Sequence, residues 1–174
     1  MISLYLNYMR VPTRRSENKP PIPIDYHLSP EKYQELKKKL IRLKARHPQE
    51  AAEVKRLAEM GDFSENAGYQ LAKSRLRGLN QRILDLENLL KRAEIIITDG
   101  DTSSVKAGHR ITVISTGREK TYTLLGSNES NPTEGVISLG SPLGAALIGK
   151  RVGDEVRLTI NGKEKIYKII KIEA

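Results

Sequence analysis

Between Tyr69 and Ala93 the apolar residues follow an unbroken three-four alternation: Tyr69, Ala72, Leu76, Leu79, Ile83, Leu86, Leu90 and Ala93. Such spacing is the seam of a coiled coil. It commits the segment to a long helix whose stripe a second helix must cover. That partner lies directly upstream. Ser29-Pro30-Glu31-Lys32 reads as a helix start, with Ser29 as the N-cap and Pro30 at the first helical position. Tyr33, Leu36, Leu40 and Leu43 then repeat the spacing, while Lys37 to Lys39 form a solvated face. The register crosses polar residues at His47 and Glu50, resumes at Val54 and Leu57, and carries Pro48, which predicts a kink or short break. Gly61 is expected to end this helix, and the second to run from about Ser64 to Ala93. Two such helices joined by a tight turn make an antiparallel hairpin over residues 29–97. A helix of about 28 residues projects roughly 40 Å, so the arm is a narrow probe.

Beyond Ile95-Ile96-Ile97 a Gly/Asp/Ser linker occupies residues 98–104, and over 105–174 the hydrophobic period falls to two. Strands are expected at Arg110–Ser115, Tyr122–Leu125, Gly135–Leu139, Glu155–Ile160 and Lys165–Ile172, with turns at Thr116-Gly117-Arg118 and Asn161-Gly162. Ser141 to Ile148 reads as a short helix with Ser141 as cap, Pro142 in its first position and Gly149 at its end. The fold class is therefore α+β, a helical hairpin followed by a small, mostly antiparallel β domain with one short helix. Residues 1–28, with Pro12, Pro20, Pro21 and Pro23, read as an extended or disordered tail.

Composition narrows the chemistry. The chain has 174 residues, no Cys, no Trp, one Phe and seven Tyr, so its cores must be aliphatic. Without cysteine there is no disulfide scaffold, thiolate zinc site or cysteine nucleophile, and a reducing cytoplasm is the expected compartment. The three histidines, His27, His47 and His109, lack ligand spacing. No apolar run approaches the roughly 18–20 residues that span a bilayer, and a secretory leader is not expected. A net charge of +9 suits an anionic partner such as nucleic acid or a nucleoprotein machine, or simply Lys-rich helix faces.

Against that basic background the turn between the helices is acidic: Met60-Gly61-Asp62-Phe63-Ser64-Glu65-Asn66. Asp62 or Ser64 can cap the second helix, and Glu65 sits where the helix dipole favours negative charge. The same two carboxylates, three residues apart at the end of a probe, also suit a hard divalent cation such as Mg²⁺. That ion binds through one or two carboxylates and keeps several waters. Two carboxylates are too few for a tight private site, so a partner would complete the shell.

Gly61-Asp62-Phe63-Ser64-Glu65-Asn66-Ala67-Gly68-Tyr69 resembles the hairpin-tip motif of the bacterial GreA/GreB transcription elongation factors. The likeness extends over residues 28–174. Arg46-His47-Pro48 is similar to the family's basic residue and proline midway up the first helix, and Ser141-Pro142-Leu143-Gly144, Ala146-Leu147, Gly149-Lys150 and Val152-Gly153-Asp154 to its C-terminal signature. Ser64 and Lys73-Ser74-Arg75-Leu76-Arg77 lean toward GreB, whereas Phe63 departs from the pattern, as does the proline-rich tail.

The resemblance implies a C-terminal domain similar in fold to FK506-binding proteins, docked on the rim of the RNA polymerase secondary channel. Ser141, Pro142, Leu143, Gly144 and Leu147 are the docking candidates. It implies that the hairpin enters the channel and that Asp62 and Glu65 help hold a Mg²⁺ shared with the polymerase, for hydrolysis of backtracked RNA. On this reading the chain is a monomer and not itself an enzyme. It meets the nascent RNA 3′ end and contacts DNA only indirectly, within the elongation complex. Ser64, Asn66 and Tyr69 would support the tip, although Tyr69 is equally a seam residue. Lys73, Arg75 and Arg77 either contact RNA phosphates or form a solvated face. A non-cleaving channel binder is the alternative. A prolyl isomerase, suggested by fold alone, is poorly served by a domain whose aromatics are Tyr122 and Tyr167.

Overall fold

The computed structural model describes residues 25–60, 67–160 and 162–174. Ser29, in extended backbone, accepts a hydrogen bond from the Lys32 amide on its side chain and so starts helix α1 (Pro30–Glu59), with Pro30 in the first turn. Helix α2 spans Ala67–Arg92. At about 1.5 Å per residue these helices of 30 and 26 residues measure roughly 45 and 39 Å. They pack together along the predicted stripes, with Leu36, Ala72 and Leu79 buried and the other seam positions half-covered. Lys44 Nζ reaches Glu87 Oε1 across the pair at 2.5 Å.

No break occurs at Pro48, which lies inside the continuous helix α1. Proline withholds one donor and crowds the preceding turn, at a cost of about 3 kcal/mol. The apolar seam on either side, Leu40 and Leu43 before it and Val54 and Leu57 after, holds the helix through that point.

The other departure is at the N-terminal end. His27–Leu28 form a short strand, β1, that pairs in parallel with β2 (Glu94–Ile95), immediately after α2. Leu28 is fully buried and Ile96 nearly so. Residues 25–28 therefore belong to the folded body rather than to the expected tail, while residues 1–24 lie outside the described residues. The acidic linker is also fastened: Lys106 Nζ bonds Asp99 Oδ2 at 2.7 Å and Asp101 Oδ2 at 2.8 Å. The Lys106 ammonium holds the Asp101 carboxyl well below the usual carboxylate range.

The C-terminal part is a five-stranded sheet in the order β5-β4-β3-β7-β6, formed by β3 (Arg110–Ser115), β4 (Arg118–Leu125), β5 (Val136–Ser138), β6 (Glu155–Ile160) and β7 (Lys163–Glu173). All pairings are antiparallel except β4 with β5. One face carries the core of Val105, Ile111, Val113, Leu124, Ile137, Leu147, Val156, Tyr167, Ile169 and Ile172. The register of β3 on β7 slips between Thr112 and Val113, paired with Lys171 and Ile169. That bulge lets Ile169 and Ile172, three apart, both face inward where strict alternation would expose one. Helix α3 (Pro142–Leu147) covers the core with Leu147 and starts at Ser141 as expected.

Candidate functional site

Asp62, Ser64, Glu65 and Asn66 lie outside the described residues. What the structure describes is the arm that carries them and the joint that aims it. At the arm's end, Met60 caps α1 with 68% of its surface exposed, and Arg56 pairs through Nε and Nη2 with Glu53 at 2.9 Å. The Arg56 hydrogen bond holds the Glu53 carboxyl below its ordinary value. Tyr69 is half-buried on the seam, and Lys73 Nζ stands 5.8 Å from its ring centroid, one helical turn on.

Lys73, Arg75 and Arg77 do not share a face. Lys73 and Arg77 flank Leu76 on one side of the hairpin, beside Asn80 and Leu84. Arg75 turns to the opposite flank, into a recess shared with Arg46 and Arg82. Helical geometry requires this, since positions two apart point some 200° from one another.

The docking candidates also divide. Ser141 Oγ accepts from the Gly144 amide at 3.0 Å and donates to the Ser138 carbonyl at 2.7 Å, tying α3 to the end of β5. Gly144 is buried so tightly that a Cβ there would lie 2.1 Å from the Ser138 carbonyl oxygen. Leu147 is fully buried. Gly144 and Leu147 thus shape the loop from within, and only Pro142 is exposed, with Ser141 and Leu143 half-covered. Ile148 and Val152, just downstream, are exposed as well.

The joint was the feature least visible in the sequence. Asp25 Oδ2 accepts from the Ser127 amide at 2.8 Å and hydroxyl at 3.1 Å, while Oδ1 accepts from the His27 amide at 2.9 Å and lies 2.8 Å from His27 Nδ1. Ser29 donates its amide and hydroxyl to the two oxygens of Glu129, at 2.7 and 2.5 Å. The α1 cap is thus also a bolt to the β domain. Arg92, in the last turn of α2, bonds the Tyr26 hydroxyl at 2.8 Å and stacks over its ring.

Among the described residues no group of three or more His, Asp or Glu could hold a metal, and no helix is long and apolar enough to cross a membrane.

An arm of two helices bolted to a separate β domain is the arrangement the tip motif anticipates, and comparison with known proteins agrees. Residues 26–95 match the family described as "Transcription elongation factor, N-terminal", and residues 100–174 match "Transcription elongation factor, GreA/GreB, C-term". The chain belongs to the GreA/GreB transcription elongation factor family. It is 38% identical over 145 residues to transcription elongation factor GreA of Nautilia profundicola, covering 80% of this chain and 89% of that protein. To GreA of Bacillus subtilis strain 168 it is 37% identical over 150 residues, covering 84% and 96%. Both relatives are named GreA, so the leaning toward GreB gains no support from them. Among solved structures, GreA factor homolog 1 (Gfh1) of Thermus thermophilus aligns with 85% of this chain and 98% of its own, at 26% identity and a TM-score of 0.40.

Proposed function

We propose that this family member acts on bacterial RNA polymerase as a transcript-cleavage factor, the hairpin entering the secondary channel while the β domain docks outside. One observation carries the reading. In a chain of this family, the sequence places the acidic pair Asp62 and Glu65 between two paired helices each roughly 40 Å long. Two hard oxygen ligands fit one Mg²⁺ that a partner's carboxylates also hold, and when bound the ion would polarise water and steady the charge of phosphodiester hydrolysis. Asp62 and Glu65 would hold it, the seam would keep them at the arm's end, and Lys73 and Arg77 would steady extruded RNA along one flank. On this reading the chain has no hydrolytic activity of its own; it completes the polymerase's site.

Support comes from the GreA/GreB membership, the arm's length, and the α3 loop, where Ser141 is tied to β5 and Pro142 is exposed. The experiment is transcript cleavage by stalled, backtracked polymerase in Mg²⁺. Wild type is expected to shorten the RNA from its 3′ end. Asp62→Ala and Glu65→Ala should each slow cleavage by on the order of a hundredfold, the scale of losing a partner to transition-state charge, while polymerase binding persists. Binding that slows synthesis without cleavage by wild type would establish the non-cleaving alternative.

A further inference from the structure

The seam carries a defect that the tip mechanism does not use. On α1 no apolar residue follows Leu43 in register until Val54, the intervening places being His47 and Glu50. Facing that gap, α2 places Gly78, and a Cβ there would meet no atom within 4 Å. The result is a recess of about 320 Å³ on the flank opposite Lys73 and Arg77, floored by Leu43 and Leu79. Arg46, Arg75 and Arg82 converge on its rim, with Glu50 and Ser74 beside them. Arg46 Nη2 is fixed by Glu50 Oε1 at 2.9 Å, and the Glu50 side chain is 17% exposed. Arg75 and Arg82 have no ion pair or hydrogen bond among the described residues, and Glu53 acts on Arg75 only through space. Three guanidinium groups against one carboxylate leave the recess doubly positive. Guanidinium forks match phosphate oxygens bidentately.

We propose that this recess binds a pyrophosphate-bearing anion: the phosphates lie on Arg75 and Arg82, and the apolar floor of Leu43, Leu79 and Gly78 is open to a base or left to water. The two sources of that chemistry are a nucleoside di- or triphosphate and free pyrophosphate. A concave site walled by two helices, rather than a continuous basic stripe, favours a compact ligand over a nucleic-acid backbone. The proposal does not depend on the tip.

Calorimetric titration of the full chain at about 0.15 M salt without Mg²⁺ tests it, since diffuse surface attraction is largely screened there. The probes are sodium pyrophosphate, ATP, GTP, AMP and a single-stranded RNA of about ten nucleotides. Pyrophosphate, ATP or GTP is expected to bind at least about tenfold more tightly than AMP. A triphosphate tighter than pyrophosphate identifies a nucleotide, and equal affinities identify the free anion; both sustain the site. The double variant Arg75→Gln/Arg82→Gln should weaken binding by about tenfold or more, whereas Lys38→Gln/Lys91→Gln, the same charge change elsewhere on the hairpin, should change it less than about twofold. Gly78→Leu keeps every arginine, suits a helix better than glycine, and should block nucleotide by filling the floor. No binding at about 1 mM pyrophosphate or nucleotide overturns the proposal, as does an equal loss in the Lys38/Lys91 variant. RNA binding about tenfold tighter than any nucleotide, with the same dependence on Arg75 and Arg82, would assign the recess to nucleic acid instead.

Discussion

At the scale of single residues, Asp25 shows how much of this molecule rests on contacts that sequence patterns do not encode. Its side chain is 9% exposed and accepts from His27 and Ser127. Burial alone would raise its pKa, but the hydrogen bonds from His27 and Ser127 together outweigh it and hold the carboxyl below its ordinary value. A carboxylate whose folded pKa is depressed contributes stability above its unfolded pKa and loses it as pH falls through the folded one. The joint is therefore at full strength at neutral pH and gives way below about pH 4. Asp25→Asn should lower stability by about 1–3 kcal/mol in urea denaturation at pH 7, because donors on Ser127 and His27 lose an ionised acceptor. The gap from wild type should narrow as pH drops below about 4, and a gap unchanged down to acid-unfolding conditions would refute the assignment. Gly126 makes the same point sterically: a Cβ there would fall 1.8 Å from the His27 carbonyl oxygen. Gly126→Ala should therefore lower the thermal midpoint, at a cost of about 1–3 kcal/mol from overpacking, and an unshifted midpoint would show that β1 can move aside. Neither residue announced itself. Asp25 lies 102 positions from Ser127, and an aspartate next to a proline-rich stretch carries no local sign of burial.

Whole elements were far more legible, because period is a local property. The seam of α2 and the start of α1 follow from spacing and a cap, and β3 and β6 match their alternation residue for residue. Where the reading fell short, the pattern had been masked. Strand β4 begins at Arg118, four residues before the expected Tyr122, because Arg118 to Thr121 are exposed and polar with no alternation to see. Strand β5 pairs in parallel, which its own residues cannot signal. Pro48 is the clearest case of packing overriding propensity, and it gives a prediction. Pro48→Ala restores a backbone donor within α1 and should stabilise the hairpin by up to about 3 kcal/mol, seen as a higher thermal midpoint with unchanged helical content. A lower midpoint would mean that the exposed Pro48 ring contributes packing worth more than the lost hydrogen bond.

For the whole molecule the question is why a probe should be bolted to its base. A tip carried roughly 40 Å from its joint is displaced by about 7 Å for every ten degrees of swing, which would remove carboxylates from any site they complete. Side-chain hydrogen bonds cross the joint at two places, Asp25 on Ser127 and Ser29 on Glu129, while the β1–β2 pair ties the two ends of the hairpin to each other. The double variant Asp25→Ala/Glu129→Ala should leave both parts folded and loosen their relative orientation. Because the chain contains no cysteine, two introduced cysteines, at exposed Lys38 on α1 and Glu119 on β4, can carry spin labels without background. The label-to-label distance distribution should be narrow in the parent and broad in the variant. On the proposed function, transcript cleavage should fall by about tenfold although Asp62 and Glu65 are untouched, the order of loss expected when a reacting group is held less well in place. A distribution that stays narrow would show that the packing of β1 on the loop at Gly126 fixes the arm without these two carboxylates. A broad distribution with cleavage intact would show instead that the polymerase channel, rather than the joint, supplies the alignment.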